Sequence, residues 1–278
     1  MASRCRSRSS AQALPLAVRA AMVLAVLALA TATSRLAAQA AFDPRDFSGH
    51  WDRASPIESF ANTPGGTRGV DAPGSREAPF TAAGRDAFAA NHPGYGPRRA
   101  MARNDPMGRC EPLGLVRNLV AEIVAPHATF EIVQTPARIV QFFEYRHDWR
   151  EIWLDGRALP AGNDLYPKWN GFSVGRIEGD ELIVESVGFD ARSWLDKLGY
   201  PHSEDLRVEE RYRRVAADTL ELVITVTDPA IYSEPWRSDV KSFRLNRDKV
   251  RRWDEQIYCI PAEETSFQDL IGTGNVID

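Results

Sequence analysis

Apolar and polar residues alternate most strictly along residues 205–214 of this chain. Leu206 and Val208 share one face of the predicted strand with Glu210 and Tyr212, and charged side chains occupy the other face. Because an apolar face of this kind packs against a core, we predict that Glu210 and Tyr212 point inward together with Leu206 and Val208.

Similar strand-like runs follow one another along most of the chain. Short turns join several of them, including Thr135-Pro136, Gly179-Asp180 and Ala217-Asp218. Almost no helical periodicity separates the runs, which argues against alternating strand–helix units. The pattern therefore predicts an all-β fold, an antiparallel meander of about eight to ten strands that closes into a barrel and so removes its exposed edges. A barrel of this size leaves room for one small ligand.

Residues 1–40 are predicted to be a secretory signal peptide. A basic start precedes an apolar run from Ala20 to Ala32, and Ala38-Gln39-Ala40 supplies a small-residue cleavage site. The alternative is a membrane anchor, but the run is shorter than the ~20 residues that a helical span needs. We therefore expect a periplasmic or secreted protein with no stable membrane insertion after cleavage.

The rest of the chain divides into three predicted parts. Residues 41–107 form a loop-rich N-terminal arm, with one short helix from Thr81 to Ala90 that Thr81 can cap. Residues 108–260 form the β-barrel domain, and residues 261–278 form a C-terminal tail without a clear pattern.

Charge narrows the class of partner. Without the five arginines of residues 1–40, the chain keeps 29 basic residues against 38 acidic ones, a net charge of −9. An acidic exported protein is a poor candidate for binding nucleic acid or an anionic membrane surface. The expected partner is a small hydrophobic or aromatic molecule, neutral or cationic.

Two cysteines remain after cleavage, Cys110 and Cys259. In an oxidising compartment an even pair predicts a disulfide, here closing a loop of about 150 residues. Such a bond would stabilise the fold by about 4–5 kcal/mol through the lost chain entropy of the unfolded state. The alternative is a pair of buried free thiols.

Familiar catalytic motifs are absent from the sequence, which has no nucleophile elbow, phosphate-binding loop, dinucleotide fingerprint or zinc-protease motif. We predict no cofactor and no metal site.

The remaining candidates are acid–base groups. His202 and Glu204 lie two residues apart in a loop before a strand, and a histidine beside a carboxylate can act as a general base near neutral pH. The alternative is a solvated loop.

Glu210 is the third candidate catalytic residue, because burial in an apolar barrel raises the pKa of a carboxyl group. It could equally form a structural pair with Arg146 or Arg176.

The candidate substrate-binding residues are Tyr145, His147, Tyr212 and Arg176, although aromatic side chains in a barrel are normally part of the hydrophobic core. Several arginines near strands, Arg150 among them, could hold a substrate carboxylate in a bidentate manner.

A set of short motifs spans most of residues 47–259. They are FSGHW (47–51), GRCEPLG (108–114), FEIVQTP (130–136), EIWLDGR (151–157), SVGRIEGDELIV (173–184), PHSEDL (201–206) and ERYRR (210–214). Together they resemble a family of exported bacterial proteins with lipocalin-like barrels. The resemblance implies a single domain, export and the cysteine pair, and it transfers no catalytic residue. This chain has Phe172 where a histidine is expected in the family pattern GHSVGR.

Three functions are compatible with this pattern. The first is an enzyme that encloses an apolar or aromatic molecule and performs cofactor-free acid–base chemistry of the lyase, isomerase or cyclase type. In it, His202 would act as acid or base, Glu204 or Glu210 would orient it, and Tyr145 or Tyr212 would donate to an oxyanion. The second is a non-catalytic periplasmic carrier of a hydrophobic ligand. The third is a protein that binds a partner through its N-terminal arm. The number of titratable groups favours the enzyme.

Overall fold

The computed structural model describes residues 42–54, 78–91, 105–120, 129–196 and 198–248. The chain divides into two compact units, residues 1–43 and 44–278, and every element below belongs to the second. The predicted signal peptide, Cys259 and the predicted C-terminal tail lie outside the described residues.

Ten strands lie in the described part of the chain. They are β1 (Gly49–Arg53), β2 (Thr129–Gln134), β3 (Arg138–Phe143), β4 (Trp149–Trp153), β5 (Phe172–Glu178), β6 (Glu181–Val187), β7 (Arg207–Ala216), β8 (Thr219–Thr227), β9 (Trp236–Arg237) and β10 (Lys241–Leu245).

These strands form one sheet that closes on itself. Each strand from β1 to β8 pairs with the next, and β10 pairs with both β1 and β8, so nine of the described strands make a closed barrel. The short strand β9 adds to the far end of β8 through the pairs Thr225↔Arg237 and Val226↔Trp236. The predicted all-β barrel is confirmed, and it includes β1, which lies in the segment predicted as an arm.

One pair of strands departs from the predicted antiparallel meander. Among the described strands, β4 and β5 alone run parallel, and their register has only two pairs, Ile152↔Ser173 and Trp153↔Val174. A parallel pair needs a connection that returns along the barrel, whereas a hairpin needs only a few residues. Residues 154–171 supply that long connection. We call the short junction between these strands the β4–β5 seam.

The predicted orientation of β7 is confirmed. Leu206 and Val208 are buried, and Glu210 and Tyr212 are buried beside them at 0% and 1% exposure, while the intervening side chains are partly or fully exposed. The alternation that was visible in the sequence therefore becomes the inner and outer faces of the barrel wall.

The end of β3 differs from the prediction. Alternation in the sequence from Arg138 to His147 favours a single strand, but β3 ends at Phe143 and Tyr145–His147 form a 3-10 turn. Arg146 and His147 have φ values of 58° and 53°, which a strand cannot contain. The alternation rule consequently does not apply to Tyr145 and His147.

Two helices lie within the described residues, and neither is long and apolar enough to cross a bilayer. Helix α1 (Ala82–Ala90) begins where predicted, since the Thr81 hydroxyl accepts a hydrogen bond from the Gly84 amide at 3.0 Å. Helix α2 (Leu115–Val120) was not predicted, and all six of its residues are buried.

Aromatic rings attach α1 to the barrel. Phe80 and Phe88 stack on Tyr200 with ring centroids 5.9 and 4.8 Å apart, and Phe80 also stacks on Tyr232. Gly84 permits this close approach, because a Cβ there would lie 2.1 Å from the Ile231 carbonyl oxygen. Part of the predicted arm is therefore integrated into the fold.

Candidate functional site

A buried ion pair lies inside the barrel behind the β4–β5 seam. Arg150 of β4 donates to both carboxylate oxygens of Glu210 of β7, at 2.7 and 2.5 Å, and both side chains are at most 2% exposed. Alternation along β4 turns Arg150 inward, and alternation along β7 turns Glu210 toward it. The bidentate geometry is the strongest arrangement that an arginine and a carboxylate can form. The predicted partners Arg146 and Arg176 are wrong, because Arg150 fills that role.

The remaining donors of Arg150 are also occupied. Its Nε and Nη2 atoms donate to the side-chain oxygen Oε1 of Gln141 at 2.9 and 2.7 Å. The Tyr212 hydroxyl donates to Glu210 at 2.6 Å, and Ser173 accepts a weaker bond from Arg150 at 3.4 Å. We refer to these five side chains as the inner polar cluster.

Electrostatics favour the ordinary protonation states of Arg150 and Tyr212. Burial disfavours the Arg150 cation, but the interactions with Glu210 and Tyr212 together outweigh burial and raise the pKa of Arg150. Burial, together with the negative charge of Glu210, raises the pKa of Tyr212 well above its ordinary value of 10.0. A carboxylate held by two hydrogen bonds from Arg150 and a phenol that resists ionisation are poorly suited to proton transfer.

Side chains fill the space around the inner polar cluster. Gln141 and Glu210 are 0% exposed, and so are the neighbouring apolar residues Leu182, Val184 and Leu222. A side chain that lined a ligand-sized hollow would retain area accessible to water. The predicted cavity around Glu210 and Tyr212 is therefore replaced by close packing.

His202 lies elsewhere, in a buried loop. Its Nδ1 lies 2.9 Å from the Ser203 carbonyl oxygen, which can only accept, so Nδ1 carries the proton and Nε2 is left as an acceptor. The Ser193 hydroxyl lies 2.7 Å from Nε2. We refer to Ser193 and His202 as the Ser–His pair. Both residues are at most 5% exposed, so the solvated loop considered from the sequence is wrong for His202, whereas Glu204 is exposed.

Neighbouring groups hold the Ser–His pair in place. The Asp228 carboxylate accepts from the Ser203 amide at 2.5 Å and from the Ser203 hydroxyl at 2.8 Å, which fixes the carbonyl that orients His202. Burial lowers the pKa of His202, and the Ser203 hydrogen bond and the charges of Asp228 and Asp190 only partly compensate. The histidine is therefore neutral over a wider pH range than a solvated one.

The β4–β5 seam opens on the outer face of the barrel. Beyond the pair Ile152↔Ser173 the two strands part, and the Asn170 side chain spans the gap by donating from Nδ2 to the Trp149 carbonyl oxygen at 3.3 Å. Asn170 is 7% exposed, and Asp148 precedes β4 on the other side of the gap.

An aromatic cleft of about 630 Å³ lies over this opening. Its walls are the outward side chains of β4 and β5 and the connection between them. Its lining includes Trp149, Trp153, Trp169, Phe172, Asp148 and Asn170. The Trp149 ring is 54% exposed, an unusual state for so large an apolar group. We call this hollow the seam cleft.

Cations cover several rings of the seam cleft. The Arg157 guanidinium lies 3.7 Å from the centroid of the Trp153 ring, and the Lys168 ammonium lies 4.4 Å from the centroid of Phe172. A third cation, Arg192, lies 4.4 Å from the centroid of the Trp169 ring. Such contacts hold flat aromatic surfaces in defined orientations.

The sequence-predicted site residues are dispersed. Glu210 and Tyr212 meet in the inner polar cluster, whereas within the described residues His202 forms no hydrogen bond with Glu204 or Glu210. Glu204 is exposed at a separate hollow of about 320 Å³. Arg176 is half exposed on the outer face and pairs with Glu178 and Glu185. Tyr145 is buried and His147 half-buried, both in the turn after β3.

The cysteine and metal predictions stay predictions. Cys110 is buried and ends a 3-10 turn, but its predicted partner Cys259 lies outside the described residues. In the part of the chain that the structure describes, no group of three or more His, Cys, Asp and Glu side chains is placed to hold a metal ion.

Sequence reasoning missed the residues of the seam cleft and Ser193. One signal for the cleft was present, because residues 154–171 are too long for a hairpin between two adjacent strands and contain Tyr166 and Trp169. Ser193 gave no comparable signal, since a single serine nine positions before a histidine is unremarkable.

Comparison with known proteins adds no identity. No protein-family model matches the chain, and neither does any curated protein or any solved structure. The fold and the site define a class of protein: a closed β-barrel whose interior is filled by its own side chains, including a buried polar cluster, and whose outer face carries an aromatic cleft.

Proposed function

We propose that this chain is an exported small-molecule-binding barrel, and that its ligand lies in the seam cleft rather than in the barrel interior. The observation that carries this proposal is the contrast between a closely packed interior and an open hollow of about 630 Å³ lined by three tryptophans. A concave site with aromatic walls and a few polar groups is the usual form of a ligand pocket.

An aromatic or apolar ring is the ligand that these walls favour. The exposed Trp149 ring offers a flat surface, and stacking on it would remove apolar area from water on both partners. The proposal retains the small aromatic molecule expected from the sequence and moves it from the interior to the outer face.

The test is saturation-transfer NMR on the chain from residue 41, with veratrole, benzoate, benzylamine and indole as probes. We expect at least one ring compound to bind, and Trp149→Ala to weaken that binding. Val133→Ala is the control, because Val133 is an exposed apolar residue that does not line the cleft. Binding that Trp149→Ala leaves unchanged would reject the location.

Catalysis is a second candidate, and the 2.7 Å contact between Ser193 Oγ and His202 Nε2 favours it. A neutral imidazole that accepts from a serine hydroxyl is the arrangement of a general base beside a nucleophile. Incubation with each bound compound, followed by mass spectrometry, tests this. A product whose formation stops in His202→Gln supports an enzyme, and unchanged masses support a carrier.

Export and the disulfide form part of the proposal. The basic and apolar pattern of residues 1–40 supports export, and the burial of Cys110 is consistent with a cystine. Intact-mass measurement of the secreted protein is expected to show a chain that begins near residue 41 without free thiols. A full-length chain, or two alkylatable thiols, would contradict the respective statement.

A further inference from the structure

Two oxygen atoms in the lining of the seam cleft lack hydrogen-bond partners of good geometry. They are Asn170 Oδ1 and Asp148 Oδ2. Both atoms are covered from water, and neither accepts a hydrogen bond of good geometry from the residues that the structure describes. Buried polar atoms are nearly always hydrogen-bonded, and leaving one unpaired costs about 1–3 kcal/mol. Unpaired atoms of this kind at the wall of a cleft indicate a partner supplied by a ligand.

The two side chains adjoin each other, and a side-chain hydrogen bond with Asn170 lowers the pKa of Asp148 against the larger and opposite effect of burial. Both unpaired atoms are acceptors, so a ligand must present donors at this edge. An anionic ligand edge, which only accepts, would be repelled by them. Donor groups are found on hydroxyls and on cationic amines.

The cations of the seam cleft indicate whether a hydroxyl or a cationic amine is the better donor group for this site. Arg157 and Lys168 line the cleft and lie over the rings of Trp153 and Phe172. These two ring surfaces, which would attract a cation of the ligand, are therefore already covered by cations of the protein. Arg157 is paired with the Asp155 carboxylate at 2.6 Å, so Lys168 is the cation that would repel a cationic ligand. A hydroxyl group donates to the inner acceptors, and its oxygen can accept from the basic rim.

We propose that the seam cleft binds a neutral ring carrying two adjacent hydroxyl groups, with the ring on Trp149 and the hydroxyls donating to Asp148 and Asn170. This inference rests on the proposed function and specifies its ligand. Because both acceptor oxygens are covered, binding requires the Asn170 carboxamide to rotate toward the cleft. The two sources of such a ring are a catechol and a pyranose sugar.

The experiment measures dissociation constants by NMR titration of the chain from residue 41. The probes are catechol, methyl β-D-glucopyranoside and veratrole, which keeps the ring of catechol but has methoxy groups in place of its hydroxyls. We expect catechol, the glucoside or both to bind at least tenfold tighter than veratrole, since a hydrogen bond to a charged group contributes about one to two factors of ten. Whichever of catechol and the glucoside binds more tightly identifies the source of the ring.

Asp148→Asn is the matched variant, because it keeps the shape of the side chain and removes its charge. We expect it to weaken binding of the hydroxylated ring roughly tenfold. Asp180→Asn makes the same chemical change in the exposed turn between β5 and β6 and is expected to have no effect. The comparison of catechol with veratrole needs no variant and holds even if Asp148→Asn fails to fold.

The outcomes separate the two proposals. If veratrole, benzoate or benzylamine binds as tightly as the hydroxylated rings and Trp149→Ala weakens this binding, the seam cleft is a ring site and the hydroxyl inference is wrong. An unchanged affinity in a folded Asp148→Asn protein also overturns the inference. If no probe binds, or if Trp149→Ala has no effect on any of them, the proposed function fails as well.

Discussion

The two faces of the β4–β5 seam differ in how their charged groups are paired, although the inner face also holds one buried atom without a hydrogen-bond partner, Gln141 Nε2. On the inner face, Arg150 and Glu210 are joined by two short hydrogen bonds, and the remaining donors of Arg150 reach Gln141, Tyr212 and Ser173. On the outer face, Asn170 carries an unpaired buried oxygen beside a half-exposed tryptophan. The comparison indicates that the inner face contributes to the structure and that the outer face is available to a ligand.

The largest expected effect comes from removing the arginine of the inner polar cluster. Arg150→Met leaves the Glu210 carboxylate buried without its counter-ion, and we expect the free energy of unfolding to fall by about 3–5 kcal/mol. Urea denaturation of the purified variant measures this.

The control is the double variant Arg150→Met with Glu210→Met, which removes both charges. It should recover much of the lost stability, because replacing a buried pair by apolar residues of similar size is often close to neutral. If Arg150→Met costs less than about 1 kcal/mol, the range typical of surface pairs, the inner cluster is not structural and the comparison fails.

The next effect concerns pH and the Ser–His pair. Burial lowers the pKa of His202 in the folded state, so below the ordinary value of 6.5 the unfolded chain binds a proton that the folded chain does not. Stability is therefore complete above about pH 6.5 and falls as the pH drops below it. Unfolding in urea between pH 8 and pH 5 is the measurement.

His202→Gln supplies the reference for that experiment, since glutamine does not titrate and can still accept from Ser193. Other groups also titrate in acid. Burial raises the pKa of Asp148, so this residue makes the folded state more stable as the pH falls, which is opposite to the effect of His202. The prediction is that the wild-type protein loses more stability than His202→Gln over this range. Parallel profiles for the two proteins would show that His202 is not buried as a neutral group.

The smallest expected effect on stability comes from the outer face. Trp149 is 54% exposed, so Trp149→Ala should change the free energy of unfolding by no more than about 0.5 kcal/mol while it weakens ligand binding. Thermal unfolding without ligand checks the first part. A loss above about 2 kcal/mol would show that Trp149 belongs to the core and would remove the distinction between the two faces.

The barrel was predictable from the sequence because alternation is a local property. The inward direction of Glu210 and Tyr212 follows from their spacing relative to Leu206 and Val208, and no knowledge of other strands is needed. The cap of α1 at Thr81 was predictable for the same reason. The parallel pairing of β4 with β5 was missed, because strand order depends on where a long connection returns.

The site was harder to predict because it depends on contacts between distant residues. Several arginines near strands were equivalent in the sequence, and only the arrangement of β4 opposite β7 selects Arg150 as the partner of Glu210. Likewise, His202 was recognised as a candidate, but its contact with Ser193 depends on the path of a loop without regular structure. The seam cleft arises where two strands part, and alternation carries no information about such a gap.

The most direct test of the account uses the indole Nε1–H signals of the seven tryptophans in a two-dimensional NMR spectrum, assigned by single Trp→Phe variants. Trp149, Trp153 and Trp169 line the seam cleft, while Trp51 is fully buried and donates to the Phe47 carbonyl oxygen at 3.0 Å. On titration with catechol, the account predicts shifts of the three cleft signals and a stationary Trp51 signal. A shift of Trp51 with unchanged cleft signals would place the ligand inside the barrel and contradict the account.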